Sequence, residues 1–105
     1  MKIKEMKSNA DDICEIMTLL SNRSRLMILC LLSEGEKSVG GLAEAIRSRD
    51  TAVSQQLARL RHEKLVSTRR EGNQIIYTLA DDRVRTMIRL IQRLFGHQLR
   101  HPGDG

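Results

Sequence analysis

The chain has 105 residues, of which 40% are hydrophobic, 30% charged and 2% aromatic, a length and composition that fit one domain around a modest core and exclude two. Its longest apolar run, Leu26 to Leu32, is far short of the ~20 residues that span a bilayer, so a soluble cytoplasmic protein without a membrane partner is expected. The formal charge is +5, and the excess is local: residues 1–50 carry eight bases and eight acids, residues 51–105 ten and five, with Arg59, Arg61, Lys64, Arg69 and Arg70 set against Glu63 alone. Such a segment faces a polyanion. Tyr77 and Phe95 are the only aromatics, too few for the stacking platforms of single-strand binders, so duplex DNA is the favoured partner.

The single domain spans 1–105, with 1–7 and 101–105 read as flexible ends. A first helix is expected from about Asn9 to Leu20, capped by Asn9 or Ser8, with Asp11, Asp12 and Glu15 near its positive end. Its apolar residues cover too much of the circumference for one buried stripe, which implies contact with two surfaces. A second helix starts after Ser21 or Asn22 and is apolar all round from Leu26 to Leu32, hence central. A third, Val39 to Ile46, turns through Arg47-Ser48-Arg49-Asp50 into a fourth, Thr51 to about Lys64. Two short helices joined by a brief polar turn make a helix-turn-helix.

In the fourth helix Val53, Leu57 and Leu60 form a core face, while Thr51, Ser54, Gln55, Ala58, Arg59 and His62 fall on the opposite one. Next, Leu65 to Arg70 and Gln74 to Leu79 are rich in β-branched residues and flank Glu71-Gly72-Asn73, a hairpin pattern. A hairpin directly after a helix-turn-helix is a wing. The last helix, about Asp81 to Arg100, carries a wide apolar face of Val84, Met87, Ile88, Ile91, Leu94, Phe95 and Leu99, more than so small a core can cover. Part of that face should pair with a second copy.

Three segments in order carry a specific likeness: Ser38-Val39-Gly40-Gly41-Leu42-Ala43-Glu44-Ala45-Ile46, then Thr51-Ala52-Val53-Ser54-Gln55-Gln56-Leu57-Ala58-Arg59-Leu60-Arg61, then Leu65 to Gly72. Together with Asn22 to Leu29 they resemble the ArsR/SmtB family of dimeric winged helix-turn-helix repressors over about Leu20 to Leu99. The resemblance implies a mainly α fold with a small β-hairpin wing, a homodimer formed through the first and last helices, an inverted-repeat operator and release by an inducer. The residue chemistry agrees: Gln55 and Gln56 can pair with adenine, Thr51 and Ser54 can reach bases or phosphates, and Arg59 can take guanine or backbone. At the wing, Arg69, Arg70, Asn73 and Gln74 would engage phosphates or the minor groove. Relatives usually start the recognition helix with a Ser or Thr cap and a Gln, where this chain has Ser48-Arg49-Asp50; Asp50 is expected to cap the helix and Arg49 to contact phosphate.

Metal-sensing relatives place a Cys-x-Cys type motif in the third helix or Asp, His and Glu ligands along the last. Here the third helix has neither Cys nor His, and Arg83 and Leu94 interrupt the set that Asp81 and His97 would begin, so no metal or other cofactor is expected. His97 and His101 stand four apart at the chain end and leave one weaker metal reading open. Cys30 matches one of two thiols in an oxidant-responsive branch of the family, whose second thiol lies near the end of the last helix. This chain has Leu94-Phe95-Gly96-His97 there, so Cys14 is the only substitute, provided the two sit within roughly 4.4 to 6.8 Å between Cα atoms. The alternative is that Cys14 and Cys30 are small inert core residues.

Arg85, Arg89 and Arg93 form a ladder on the last helix, either solvated or, if the first and last helices form the dimer interface as the resemblance implies, neutralised there by Asp11, Asp12 and Glu15 in a rim network. Two other classes compete with the regulator. A thiol oxidoreductase would need a Cys-x-x-Cys or an equivalent constellation, which is missing, so the chain is not expected to be an enzyme. A winged helix that binds only protein would be indifferent to substitution at Gln55, Arg59 and Arg69.

Overall fold

In a computed structural model of the protein, residues 2–99 are described, 97–99 by backbone alone. The elements run α1 (Ile3–Leu20), α2 (Arg23–Glu34), β1 (Lys37–Ser38), α3 (Val39–Ile46), α4 (Asp50–His62), β2 (Val66–Glu71), β3 (Gln74–Leu79) and α5 (Asp82–Leu99). Five helices and a three-stranded antiparallel sheet of order β1-β3-β2 form a winged helix-turn-helix.

Helix α1 begins at Ile3, not near Asn9. Lys, Glu and Met in its first turns favour a helix, and the residues read as caps bond backwards within it, Ser8 Oγ and Asn9 Nδ2 both donating to the Glu5 carbonyl at 2.9 and 3.0 Å. The other starts follow local chemistry closely. Asn22 caps α2 by accepting from the Arg25 amide, Ser38 caps α3 by accepting from Gly41, and Asp81 caps α5 by accepting from Arg83 and Val84. Burial alone would raise the Asp81 carboxyl, but those backbone bonds and the Arg83 guanidinium outweigh it and hold it below the usual carboxylate range.

The core joins Ile28 and Leu29 of α2, Leu42 of α3, Val53, Leu57 and Leu60 of α4, and Val84 and Ile88 of α5, all fully buried. This places α2 at the centre, as its unbroken apolar run implies, although Met27 stays exposed. The recognition helix is pinned by the predicted Val53, Leu57 and Leu60. By contrast, the later part of the apolar surface of α5 is uncovered in the protomer: Leu94 and Phe95 of the expected face are exposed, as is Leu90 beside it, and so are Ile3, Met6 and Met17 on α1. Among the described residues, no single helix is long and apolar enough to cross a membrane; α1 and α2 together reach that length only across a 95° corner.

Strand β1 was not expected, because two residues carry no periodicity; it exists by pairing Lys37 with Tyr77 and Ser38 with Ile76. The hairpin closes through a two-residue turn, Gly72-Asn73, between the paired Glu71 and Gln74. Only Gly72, at φ 61°, takes a positive φ there, as a type II′ turn requires at its first central position.

Candidate nucleic-acid interface

The buried stripe of α4 leaves the opposite side of that helix in solvent. Thr51, Ser54, Gln55 and Arg59 are exposed there, with Ala58 between them and His62 at the end. Short hydroxyls, one free amide and one guanidinium thus share a rigid, protruding face of the kind that enters a major groove. Arg49 is the N-cap residue of α4 and makes no side-chain capping bond; Asp50 lies within the first turn. The expected cap is therefore corrected: Asp50 sits inside the helix, where its charge still meets the positive end, and Arg49 stands exposed at the leading tip.

Gln56 departs from the expectation that it reads bases. It is half-buried and accepts a hydrogen bond from Arg25 Nη1 at 3.3 Å. Arg25, only 8% exposed, also donates through Nε to the Leu19 carbonyl at 3.0 Å and through Nη2 to Thr18 at 3.5 Å. One guanidinium therefore satisfies the carbonyl end of α1 and holds α4. Burial and the nearby Arg59 charge push its pKa down from an already very high value, and the group remains cationic. A charged residue in an amphipathic stretch does not announce such a role, yet the spacing of Arg25 from Ile28 and Leu29 places it on the core side of α2.

The wing divides its cations. Arg69 is held between Glu36, which follows α2, and Glu71 of its own strand, and these pairs push its pKa up. In the protomer its charge is engaged by two surface acids rather than left free for the expected phosphate contact. Arg70 is exposed and makes only a 3.4 Å bond from Nε to the Gly72 carbonyl, and Asn73 and Gln74 are exposed at the tip. Those three remain available to a partner.

The thiols do not meet the condition set for them. Cys14 is exposed on α1 and Cys30 half-buried on α2. Each lies about two turns from a near-right-angled corner, so at 1.5 Å rise per residue their Cα atoms are roughly 16 Å apart, beyond disulfide reach. Burial pushes the Cys30 thiol up, and Glu34 one turn on adds to the effect. The inert reading fits Cys30 but not Cys14, which is no core residue. Asp81, considered as a metal ligand, is engaged as the α5 cap, and no group of three or more His, Cys, Asp or Glu side chains converges among the described residues. His97 and His101 lie outside the side chains described. Within the protomer Arg85 pairs with Asp82 and donates to the Leu79 carbonyl.

A helical core that presents the exposed polar face of α4, followed by a hairpin wing, defines a winged helix-turn-helix DNA-binding regulator. Residues 22–68 match the family described as bacterial regulatory protein, arsR family. The transcriptional activator HlyU of Vibrio cholerae is 39% identical, covering 90% of this chain and 88% of its own, and the biofilm growth-associated repressor of Agrobacterium fabrum is 38% identical, covering 86% and 77%. Among solved structures, the repressor BigR from Xylella fastidiosa superposes with a TM-score of 0.85 at 35% identity, covering 90% of this chain and 97% of that one. A homodimeric winged helix-turn-helix DNA-binding domain from Mycobacterium bovis superposes at 0.72 with 32% identity, covering 89% and 86%. The chain belongs to the arsR family of transcriptional regulators.

Proposed function

We propose that the protein is a repressor that binds double-stranded DNA as a homodimer, at an inverted-repeat operator, and leaves it in response to an inducing signal. The observation that carries this reading is the exposed face of α4: Thr51, Ser54, Gln55 and Arg59 stand opposite a fully buried Val53, Leu57 and Leu60. Arg49 at the tip and Arg70, Asn73 and Gln74 of the wing flank it as backbone or minor-groove contacts.

The dimer follows from unspent surface. Exposed Ile3, Met6 and Met17 on α1 and Leu90, Leu94 and Phe95 on α5 form apolar surface that a monomer would leave in water. Between these helices lies a groove of about 340 Å³, lined by Asn9, Asp12, Ile13, Ile16, Arg83 and Met87. A second copy covering this face gives the two-fold symmetry that an inverted repeat requires, with recognition helices about 34 Å apart. Sedimentation of the chain and of Leu94→Glu, paired with footprinting on DNA upstream of its own gene, tests both parts. A dimer that the substitution dissociates, and two protected half-sites one helical turn apart, are expected. A monomeric wild type, or no footprint, contradicts the proposal.

A further inference from the structure

The start of α2 and the α3–α4 turn enclose a cleft of about 340 Å³, lined by Arg23, Ser24, Met27, Ile46, Arg47 and Ser48. Its walls combine two apolar side chains with two guanidiniums and two hydroxyls, and no carboxylate. Among the described residues the ion pairs involve Arg69, Arg83 and Arg85, so neither Arg23 nor Arg47 is neutralised by an acid. Donor-only cations beside hydroxyls suit an anion with several acceptor oxygens, above all a phosphate.

The backbone supplies a second observation. Arg47 closes α3 in the left-handed region, φ 56° and ψ 50°, where glycine is the usual occupant. The closure itself uses only main-chain bonds, from the Arg47 amide to Glu44 at 3.3 Å and from the Ser48 amide to Ala43 at 2.9 Å. Those bonds would form equally well with glycine. An arginine kept there bears a conformational cost that the turn does not repay, while its side chain lines the cleft. Location completes the case: Ser48 and Arg49 lead directly into Asp50 and Thr51, so the cleft borders the tip of the recognition helix, where the sugar-phosphate strand beside an occupied major groove would run.

We propose that this cleft is a backbone-phosphate site for duplex DNA, with Arg23 and Arg47 as its cations and Ser24 and Ser48 as hydroxyl donors. The proposal rests on the DNA-binding reading above and extends the contact surface beyond α4 and the wing. It supplies affinity and register without sequence information.

The test is fluorescence anisotropy of the full chain at several salt concentrations on two duplexes long enough for two half-sites about 34 Å apart, one arbitrary and one from upstream of its own gene. Arg47→Gly relieves the left-handed position and is expected to melt no earlier than wild type, so lost binding cannot be ascribed to unfolding. It should nevertheless weaken both duplexes by similar factors, on the order of ten-fold, and reduce the salt slope by about 0.9 per subunit. Arg23→Ala should do the same. Wild-type affinity and slope in both variants would overturn the cleft and leave the DNA reading standing, whereas failure of wild type to bind either duplex would overturn both. Thermal shifts in inorganic phosphate against chloride at equal ionic strength form the last arm. Phosphate stabilisation that Arg47→Gly abolishes, with DNA affinity unchanged, would assign the cleft to a small free anion and also overturn the proposal.

Discussion

Arg25 donates to Gln56 across 3.3 Å, tying the buried end of α1 to the recognition helix through a single guanidinium. The two neighbouring glutamines of α4 therefore have different duties. Gln55 faces outward, while Gln56 faces the core and Arg25. Gln55→Ala should relax specificity at one base pair, by about 1–3 kcal/mol of discrimination, with stability unchanged. Gln56→Ala should lower stability by about 1 kcal/mol through the lost bond and spread any affinity loss evenly over sequences. Urea denaturation and binding to a panel of single-base operator variants separate the two.

Arg25 itself has no small replacement. Arg25→Ala strands the Leu19 carbonyl and the Gln56 side-chain oxygen, while the Thr18 carbonyl keeps its bonds from Ser21, at an expected cost of about 2–4 kcal/mol. Arg25→Lys keeps the charge but cannot fork to three acceptors, so it should recover only part of the loss.

The wing makes a contrast between adjacent arginines. Arg70→Ala should lower the salt slope of DNA binding by about 0.9 per subunit, because its charge is uncommitted. Arg69→Ala should leave the slope nearly unchanged, since Glu36 and Glu71 already hold that side chain. Glu36→Gln should tighten binding by freeing Arg69 and removing an acid from the wing. Equal slopes for the Arg69 and Arg70 variants would contradict this division.

Asp81 sets an acid-side dependence. Its folded carboxyl lies below the usual carboxylate range, so its stabilisation is fully present above the unfolded value near ~3.9 and is lost as pH falls through the folded value. Asp81→Ala should cost about 1 kcal/mol at neutral pH, a drop of roughly 5 °C in Tm, and the difference from wild type should shrink on acidification. Asp81→Asn keeps a good cap and should flatten the acid limb. Melting curves from pH 7 downward show which occurs.

The thiols offer a direct check on the α1–α2 corner. Oxidation of the folded chain should yield no Cys14–Cys30 bond within one chain, as non-reducing mass spectrometry would reveal. In Cys14→Ser, alkylation of Cys30 should be slow at neutral pH and rise only above the ordinary thiol range. Rapid formation of the intrachain disulfide without loss of helicity would show that the two helices meet differently.

Periodicity and turn residues made most of this architecture readable. Val53, Leu57 and Leu60 declared the buried side of α4 by spacing alone, Asn22 marked the start of α2, and Glu71-Gly72-Asn73 marked the hairpin. What was hidden depended on partners distant in sequence. Lys37 and Ser38 form a strand only because Tyr77 and Ile76 offer an edge. Arg69 and Gln56 read as free polar groups until Glu36 and Arg25, 33 and 31 positions away, are brought beside them. The start of α1 was obscured differently, because Ser8 and Asn9 are good caps that also bond within a helix.

The most direct test of the central claim is fluorescence anisotropy of the wild-type chain and Gln55→Ala on duplex DNA from upstream of its own gene, against a scrambled duplex. If the exposed face of α4 reads sequence, wild type binds the first at least ~10³-fold more tightly than the scrambled duplex, as specific regulators do, and Gln55→Ala erodes that ratio while still binding both. Equal, salt-sensitive binding of both duplexes by both proteins would contradict it.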